Sequence, residues 1–273
     1  MTTDEKLAVI AGNLRAADEL SEKYESYVSG AVFELVRLSL AFDSAEDALN
    51  MARLVIPNGE RTALAHFCRC YCRYAEALPQ TFPLPEYSEN GDTVMIPEIA
   101  RLENAVNELN ARGMKLECVY GDSFSSCAES VEYGHAHFAL MPMTDPGDGR
   151  LRSFDRLRER FGLKIHRVLS IREDDGGIYS YQLCALGFPD VSREDMTRFS
   201  FTADVNSCAM AYLEGVRVFG ASVITADVSS GEVSRVCAVL EVSGLDENDL
   251  SGLIMYLGAD ADLTVDGYYA EMK

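Results

Sequence analysis

Cys68, Cys70 and Cys72 fall at alternate positions with His66 just upstream, and such side chains are the raw material of a metal centre. The apolar period around them is helical. On a helix Cys68 and Cys72 share one face, Cys70 turns away, and His66 and Cys70 share another. A tetrahedral zinc site needs four converging ligands, and no second cluster is near in the chain. Inert thiols in a helix core are therefore expected, because an unreactive cysteine packs as a small hydrophobe. His135 and His137 alternate as on one side of a strand, without further ligands beside them. Asp145 and Asp148 lie between Pro142 and Gly149, where a carboxylate closes turns by accepting backbone N–H bonds. No phosphate-cradling loop, dinucleotide fingerprint or nucleophile elbow occurs. Neither a metal nor a cofactor is expected.

The 273 residues include 24 basic and 44 acidic side chains, a formal charge of −20. A field of that sign repels phosphate backbones and anionic lipids. Nucleic acid and membrane are not expected partners, and an anionic metabolite needs a local Arg or Lys. The 48% hydrophobic and 25% charged content is ordinary for a globular chain. Its length suits two or three small domains. Met1–Lys6 leads into no long apolar run, as a secretory signal would, and no stretch approaches the roughly 18 apolar residues of a membrane span. A cytoplasmic location with eight reduced cysteines is expected.

Apolar periodicity predicts helices through residues 4–78, with Asp43-Ser44 as a cap and Pro57-Asn58-Gly59 as a turn. A linker holding Pro79, Pro83 and Pro85 follows. From Asp92 the pattern alternates: strand 93–96, helix 97–112 with Pro97 in its first turn, strand 115–120, helix 123–133, buried strand 137–141, helix 153–161 and strand 164–171. A hairpin across residues 174–177 leads into strand 178–188. Residues 198–268 then read β-α-β-β-α-β, which buries one sheet face under two helices.

Within this frame the stretch from Ser123-Phe124 through Gly134 to Phe138-Ala139-Leu140-Met141-Pro142 and Gly149 resembles the prephenate dehydratases. In that family a Ser-Phe helix ends in Gly, and a buried strand runs into Pro-x-Glu-Asn-Ser-x-x-Gly. Thr197-Arg198-Phe199 is similar to the Thr-Arg-Phe that closes the family's catalytic domain, where the threonine is the key hydroxyl. Gly267-Tyr268-Tyr269 looks like the close of the ACT regulatory domain that follows it. The departures are specific. The family's Glu-Asn-Ser falls on Thr144, Asp145 and Pro146, and no Gly-Pro-x-Gly-Thr loop follows Ile96. The ACT ligand-loop residues Gly-Ala-Leu fall on Cys208, Ala209 and Met210, and Glu-Ser-Arg-Pro falls on Ala226–Ser229. The 108 residues from Asp92 to Phe199 suffice for about one lobe where the family has two.

The resemblance implies an α/β and α+β multidomain protein: a helical domain over 1–85, chorismate-mutase-like in size and position, a dehydratase-like α/β lobe over 92–190, and an ACT-like ferredoxin-like domain over 196–273. Prephenate dehydration expels a hydroxyl and a carboxylate as the ring becomes aromatic. A positioned hydroxyl can donate the proton, and Arg can clamp a carboxylate. By resemblance Thr197, Arg198, Thr144 and Asp145 are the expected catalytic residues. Ser123, Phe124, Pro142, Gly149 and Phe199 are the expected substrate contacts. Asp204, Asn206, Ser207, Cys208, Ala209 and Met210 are the expected effector loop. The implied activity is conversion of prephenate to phenylpyruvate in phenylalanine biosynthesis. The alternative is a non-catalytic protein that binds an aromatic amino acid. A homodimer is implied in either case.

Overall fold

The structure is a computed structural model, and it describes residues 27–42, 44–57, 60–75, 93–173, 176–187, 196–204, 209–229, 235–258 and 263–272. Ten strands form one mixed sheet. They are β1 (Thr93–Pro97), β2 (Glu117–Gly121), β3 (Phe138–Asp145), β4 (Gly149–Arg150), β5 (Lys164–Arg172), β6 (Ile178–Ala185), β7 (Arg198–Asp204), β8 (Ser222–Ser229), β9 (Arg235–Glu241) and β10 (Leu263–Met272). The order is β2-β1-β3-β6-β5-β10-β7-β9-β8, with β4 paired to β3. The helices are α1 (27–39), α2 (Ala45–Val55), α3 (Arg61–Tyr74), α4 (Ala100–Ala111), α5 (Phe124–Glu132), α6 (Arg152–Arg160), α7 (Ala209–Val216) and α8 (Glu247–Gly258).

β1, β2 and β3 run parallel, joined through α4 and α5. β1 is buried on both faces, so its run Val94-Met95-Ile96 is continuously apolar. Val94 and Ile96 pack with Leu102, Val106 and Leu109 of α4, whereas Met95 packs with Cys127 and Val131 of α5. Pro97 ends β1 instead of opening the helix. Ile99 is the N-cap of α4 and its side chain makes no capping bond. β3 reaches four residues past Met141, because Pro142 can pair with Tyr181 of β6 and a bulge follows before Thr144. His135 and His137 precede β3, and His137 Nδ1 sits 2.7 Å from the Thr93 hydroxyl.

β7, α7, β8, β9, α8 and β10 follow one another as β-α-β-β-α-β, with antiparallel spatial order β10-β7-β9-β8. Phe199, Phe201, Ala238, Leu240 and Tyr268 point to the α7–α8 side and share its core. The two halves of the molecule are not separate sheets: β10 lies parallel to β5. Gly267 makes that junction possible. A Cβ there would sit 2.6 Å from both the Cβ and the carbonyl oxygen of Ile165. On β10, Ala270 belongs to the α8-side core and Met272 packs on the α4-side core, so α4, α7 and α8 cover one face. α5 and α6 cover the other.

The N-terminal helices form a further layer on α7 and α8. Val36, Leu49, Phe67, Cys68 and Cys72 share one core with Leu253 and Tyr256. α3 meets α8 at Gly252, where an added Cβ would lie 3.1 Å from the Arg69 Cα. Arg69 and Arg73 both bind Asp249 in the first turn of α8, through four N–H···O bonds of 2.9–3.0 Å. Burial works to raise the Asp249 carboxyl, and the two guanidinium groups more than offset it, leaving it below the usual range. Asp249→Ala is expected to cost about 1.5–3 kcal/mol, the range for hydrogen bonds to charged groups. Urea unfolding checks the value, and proteolysis should then cut first on the α1–α3 side.

Candidate functional site

The strand order reverses between β1 and β3. α4 leads from β1 to β2 on one side, and α5 brings the chain back across to β3. Ligands of open α/β sheets gather outside the carboxyl ends of strands at such a switch point. Ser123, Phe124, Pro142, Thr144, Asp145 and Gly149 all lie at this end. Ser123 caps α5: its hydroxyl accepts from Ser126 N at 3.2 Å, and Ser126 Oγ accepts from Ser123 N. Phe124 packs edge-on against Phe154 at 4.7 Å, as part of the core. The Pro142 carbonyl accepts a long 3.5 Å bond from the buried Gln182 amide. Thr144 and Asp145 pair with Arg150 and Gly149 across the β3–β4 hairpin. Gly149 has φ +69°, the left-handed conformation that such a turn requires. Asp145 accepts from Gly147 N at 2.8 Å and so closes the turn.

Three further residues meet here that sequence reasoning did not select. Arg101, in the first turn of α4, holds its guanidinium 4.6 Å from the centre of the Tyr179 ring. Tyr181 lies two residues along β6 and is 3% exposed, and its hydroxyl has no hydrogen-bond partner among the described residues. Burial pushes that hydroxyl up, and Glu173 and Asp145 add to the effect while Arg101 opposes it. Tyr179 and Tyr181 share one face of β6, so Arg101 stacks on the same face that carries the unpaired hydroxyl. A signal for Arg101 was present: a cation in the first turn of a helix opposes the macrodipole, so its position calls for another reason.

Thr197, Arg198 and Phe199 lie elsewhere. Thr197 directly precedes β7, where its N–H donates to Tyr269 O at 3.2 Å and its carbonyl accepts from Val242 N at 3.0 Å. β6, β5 and β10 stand between β3 and β7. Four interstrand steps of about 4.8 Å separate the two backbones by roughly 19 Å. Arg198 is bound by Glu241 and by Glu271, the latter at 3.0 Å, so two carboxylates already occupy it. Phe199 is a core residue at 1% exposure. The structure thus brings together the residues near β3 but does not bring Thr197 and Arg198 to them. Asn206, Ser207 and Cys208 lie outside the described residues. Asp204 ends β7, and Ala209 and Met210 open α7.

A second polar cluster is closed to solvent. Asp266, at the β10 bulge, accepts from Arg158 Nη2 at 2.7 Å and from the Thr202 hydroxyl at 2.8 Å. Arg150 holds Asp155 through bonds of 2.7 and 3.1 Å. Together these fix α6 and the β4 hairpin to the sheet. The thiols behave as expected of core groups: burial pushes Cys72 up to about 12 and Cys237 up to about 11. Among the described residues no group of His, Cys, Asp and Glu could hold a metal ion. None of the described helices is long and apolar enough to cross a membrane.

No family model matches the chain, and no curated protein matches it significantly. Solved structures do. A prephenate dehydratase from Streptococcus mutans aligns with a TM-score of 0.52 at 12% identity, over 67% of this chain and 100% of that one. A prephenate dehydratase from Arthrobacter aurescens, solved in complex with L-Phe, aligns with a TM-score of 0.50 at 11% identity, over 65% of this chain and 89% of that one. At such identity the likeness is one of fold, and the chain has a prephenate dehydratase-like α/β fold.

Proposed function

We propose that this protein binds a small organic molecule in the β1–β3 crevice and does not carry out prephenate dehydration. The observation that carries the reading is the buried Tyr181 hydroxyl, unpaired among the described residues, two positions along β6 from the Tyr179 ring on which Arg101 stacks. A buried hydroxyl without a partner costs about 1–3 kcal/mol, and a ligand oxygen would recover that. The rival chemistry needs Thr197 to protonate a leaving group held near Thr144, and the interval of roughly 19 Å between their strands speaks against it. Incubation with prephenate should yield no phenylpyruvate absorbance above buffer, and Thr197→Ala should change nothing. Turnover that disappears in Thr197→Ala would overturn the reading. In thermal shift, a ligand at about 100 times its Kd adds roughly 2.7 kcal/mol.

The partner proposed for the chain is a second copy. β8 is an edge strand among the described ones, and Val223, Ile224 and Val228 on it are exposed. Residues 222–228 carry one charge, Asp227, and no proline. An apolar edge of this kind pairs readily with another strand. Light scattering is expected to give a dimer, and Ile224→Lys a monomer with unchanged circular dichroism.

A further inference from the structure

The sheet face covered by α5 and α6 presents two neighbouring helices of opposite charge. Residues 150–172 hold eight of the chain's 24 basic side chains and two of its 44 acidic ones, so this stretch is a positive island in an acidic protein. Its inward members are consumed by the fold: Arg150 holds Asp155 and Arg158 holds Asp266. Arg152, Arg156 and Arg160 follow at i, i+4 and i+8 along the outer side of α6, opposite the inward Phe154, Leu157 and Arg158. Arg156 and Arg160 are exposed, and Arg152 lies 3.9 Å from an Asp155 that Arg150 already binds. Like charges at this spacing oppose one another on a helix, so the row calls for an acidic neighbour.

α5 carries an acidic row of its own. Cys127, Ala128 and Val131 form its inner side, and Glu129, Glu132 and Tyr133 are exposed. The two helices touch on their buried side, through Phe124 and Phe154 at 4.7 Å. Their outer rows do not meet: among the described residues Arg156, Glu129 and Glu132 take part in no ion pair.

We propose that this face is a contact between two copies of the chain, with α5 of each copy seated on α6 of the other. A two-fold axis along the seam between the helices lays acidic row on basic row twice over, and such an isologous contact needs only one surface. A two-fold axis across the helices would set like charge on like. Tyrosine and arginine are the side chains that most often dominate protein contacts, and Tyr133, Arg156 and Arg160 supply them here. The contact is separate from the β8 edge. It aligns exposed charges where β8 offers an apolar strand, so salt weakens it, and it adds an association step above the β8 dimer in concentrated solution. The net charge of −20 opposes self-association at long range. At physiological salt, with a Debye length of about 8 Å, that repulsion is screened while ion pairs in contact persist. At about 1 M salt the length falls to about 3 Å and the rows are screened as well.

Sedimentation velocity of the full chain, from dilute to concentrated solution, tests this. At physiological salt the species is expected to grow from dimer toward tetramer, and at about 1 M salt it should remain a dimer. Arg156→Glu with Arg160→Glu makes the face acidic throughout, and Glu129→Arg with Glu132→Arg makes it basic throughout. Each double variant alone should weaken the step at least tenfold, with circular dichroism as the folding control. Arg156→Gln, a milder change in the centre of the row, should weaken it about threefold. Mixed in equal amounts, the two double variants should associate again, because each then meets the opposite charge on both helices; a folding defect would not be repaired by mixing. A step that persists in either double variant, or that fails to return in the mixture, would overturn the inference. A dimer at every concentration, dissociated by Ile224→Lys, would overturn it and leave the β8 contact standing. A monomer at every concentration would overturn both.

Discussion

Gly267→Val is expected to be strongly destabilising. The added Cβ would lie 2.6 Å from the Cβ and the carbonyl oxygen of Ile165 and 2.9 Å from its N. Two of those atoms are backbone, so no rotamer change relieves the clash. β10 and β5 must move apart, and with them the pairing that joins the two halves of the sheet among the described strands opens. Overpacking typically costs about 1–3 kcal/mol, and a clash with backbone belongs at the upper end, about 3 kcal/mol or roughly 6–12 °C in Tm for a domain of this size. The comparison is Gly30→Ala in α1. No atom lies within 4 Å of a Cβ there, and alanine improves a helix interior by up to about 1 kcal/mol. Thermal unfolding should therefore show the two glycine substitutions moving in opposite directions.

The second large effect belongs to the buried pair Arg158–Asp266, whose side chains are 1% and 0% exposed. Removing one partner strands a charge away from water and costs about 3–5 kcal/mol. Asp266→Asn and Arg158→Met are each expected to fall in that range by urea unfolding. The double variant should lose less than the sum, because neither charge is then left alone. The pair also sets the acid limb of stability. Burial works to raise the Asp266 carboxyl, but Arg158, Thr202 and Arg150 hold it below the usual range. A depressed native pKa means the contribution is complete above about pH 4, the ordinary aspartate value, and is lost as pH falls through the lower native value. Asp266→Asn should flatten that part of the stability–pH curve.

Much of the fold was legible in the chain. The alternation from β1 through α6 followed from apolar period and from glycine stops, such as Gly113 and Gly134, both at positive φ. The β-α-β-β-α-β order from β7 to β10 followed in the same way. What period could not reveal was the union of the two sheets, since the pairing of β10 with β5 joins strands about a hundred residues apart and depends on one missing side chain at Gly267. The site was half legible. Ser123, Pro142, Thr144 and Gly149 do stand at the switch point. Arg101 and Tyr181 arrive there from α4 and β6 through tertiary structure, outside any short motif. Thr197-Arg198-Phe199 matched a motif, but the sheet consumes it: Phe199 in the core, Arg198 between Glu241 and Glu271.

The most direct test of the crevice as the ligand site is a crystal structure with the small molecule that gives the largest thermal shift. The ligand should lie between the first turn of α4 and the Tyr179–Tyr181 edge of β6, against Arg101 and with no contact to Thr197. Density against Thr197, or in the loop between β7 and α7, with the crevice empty, would contradict the account.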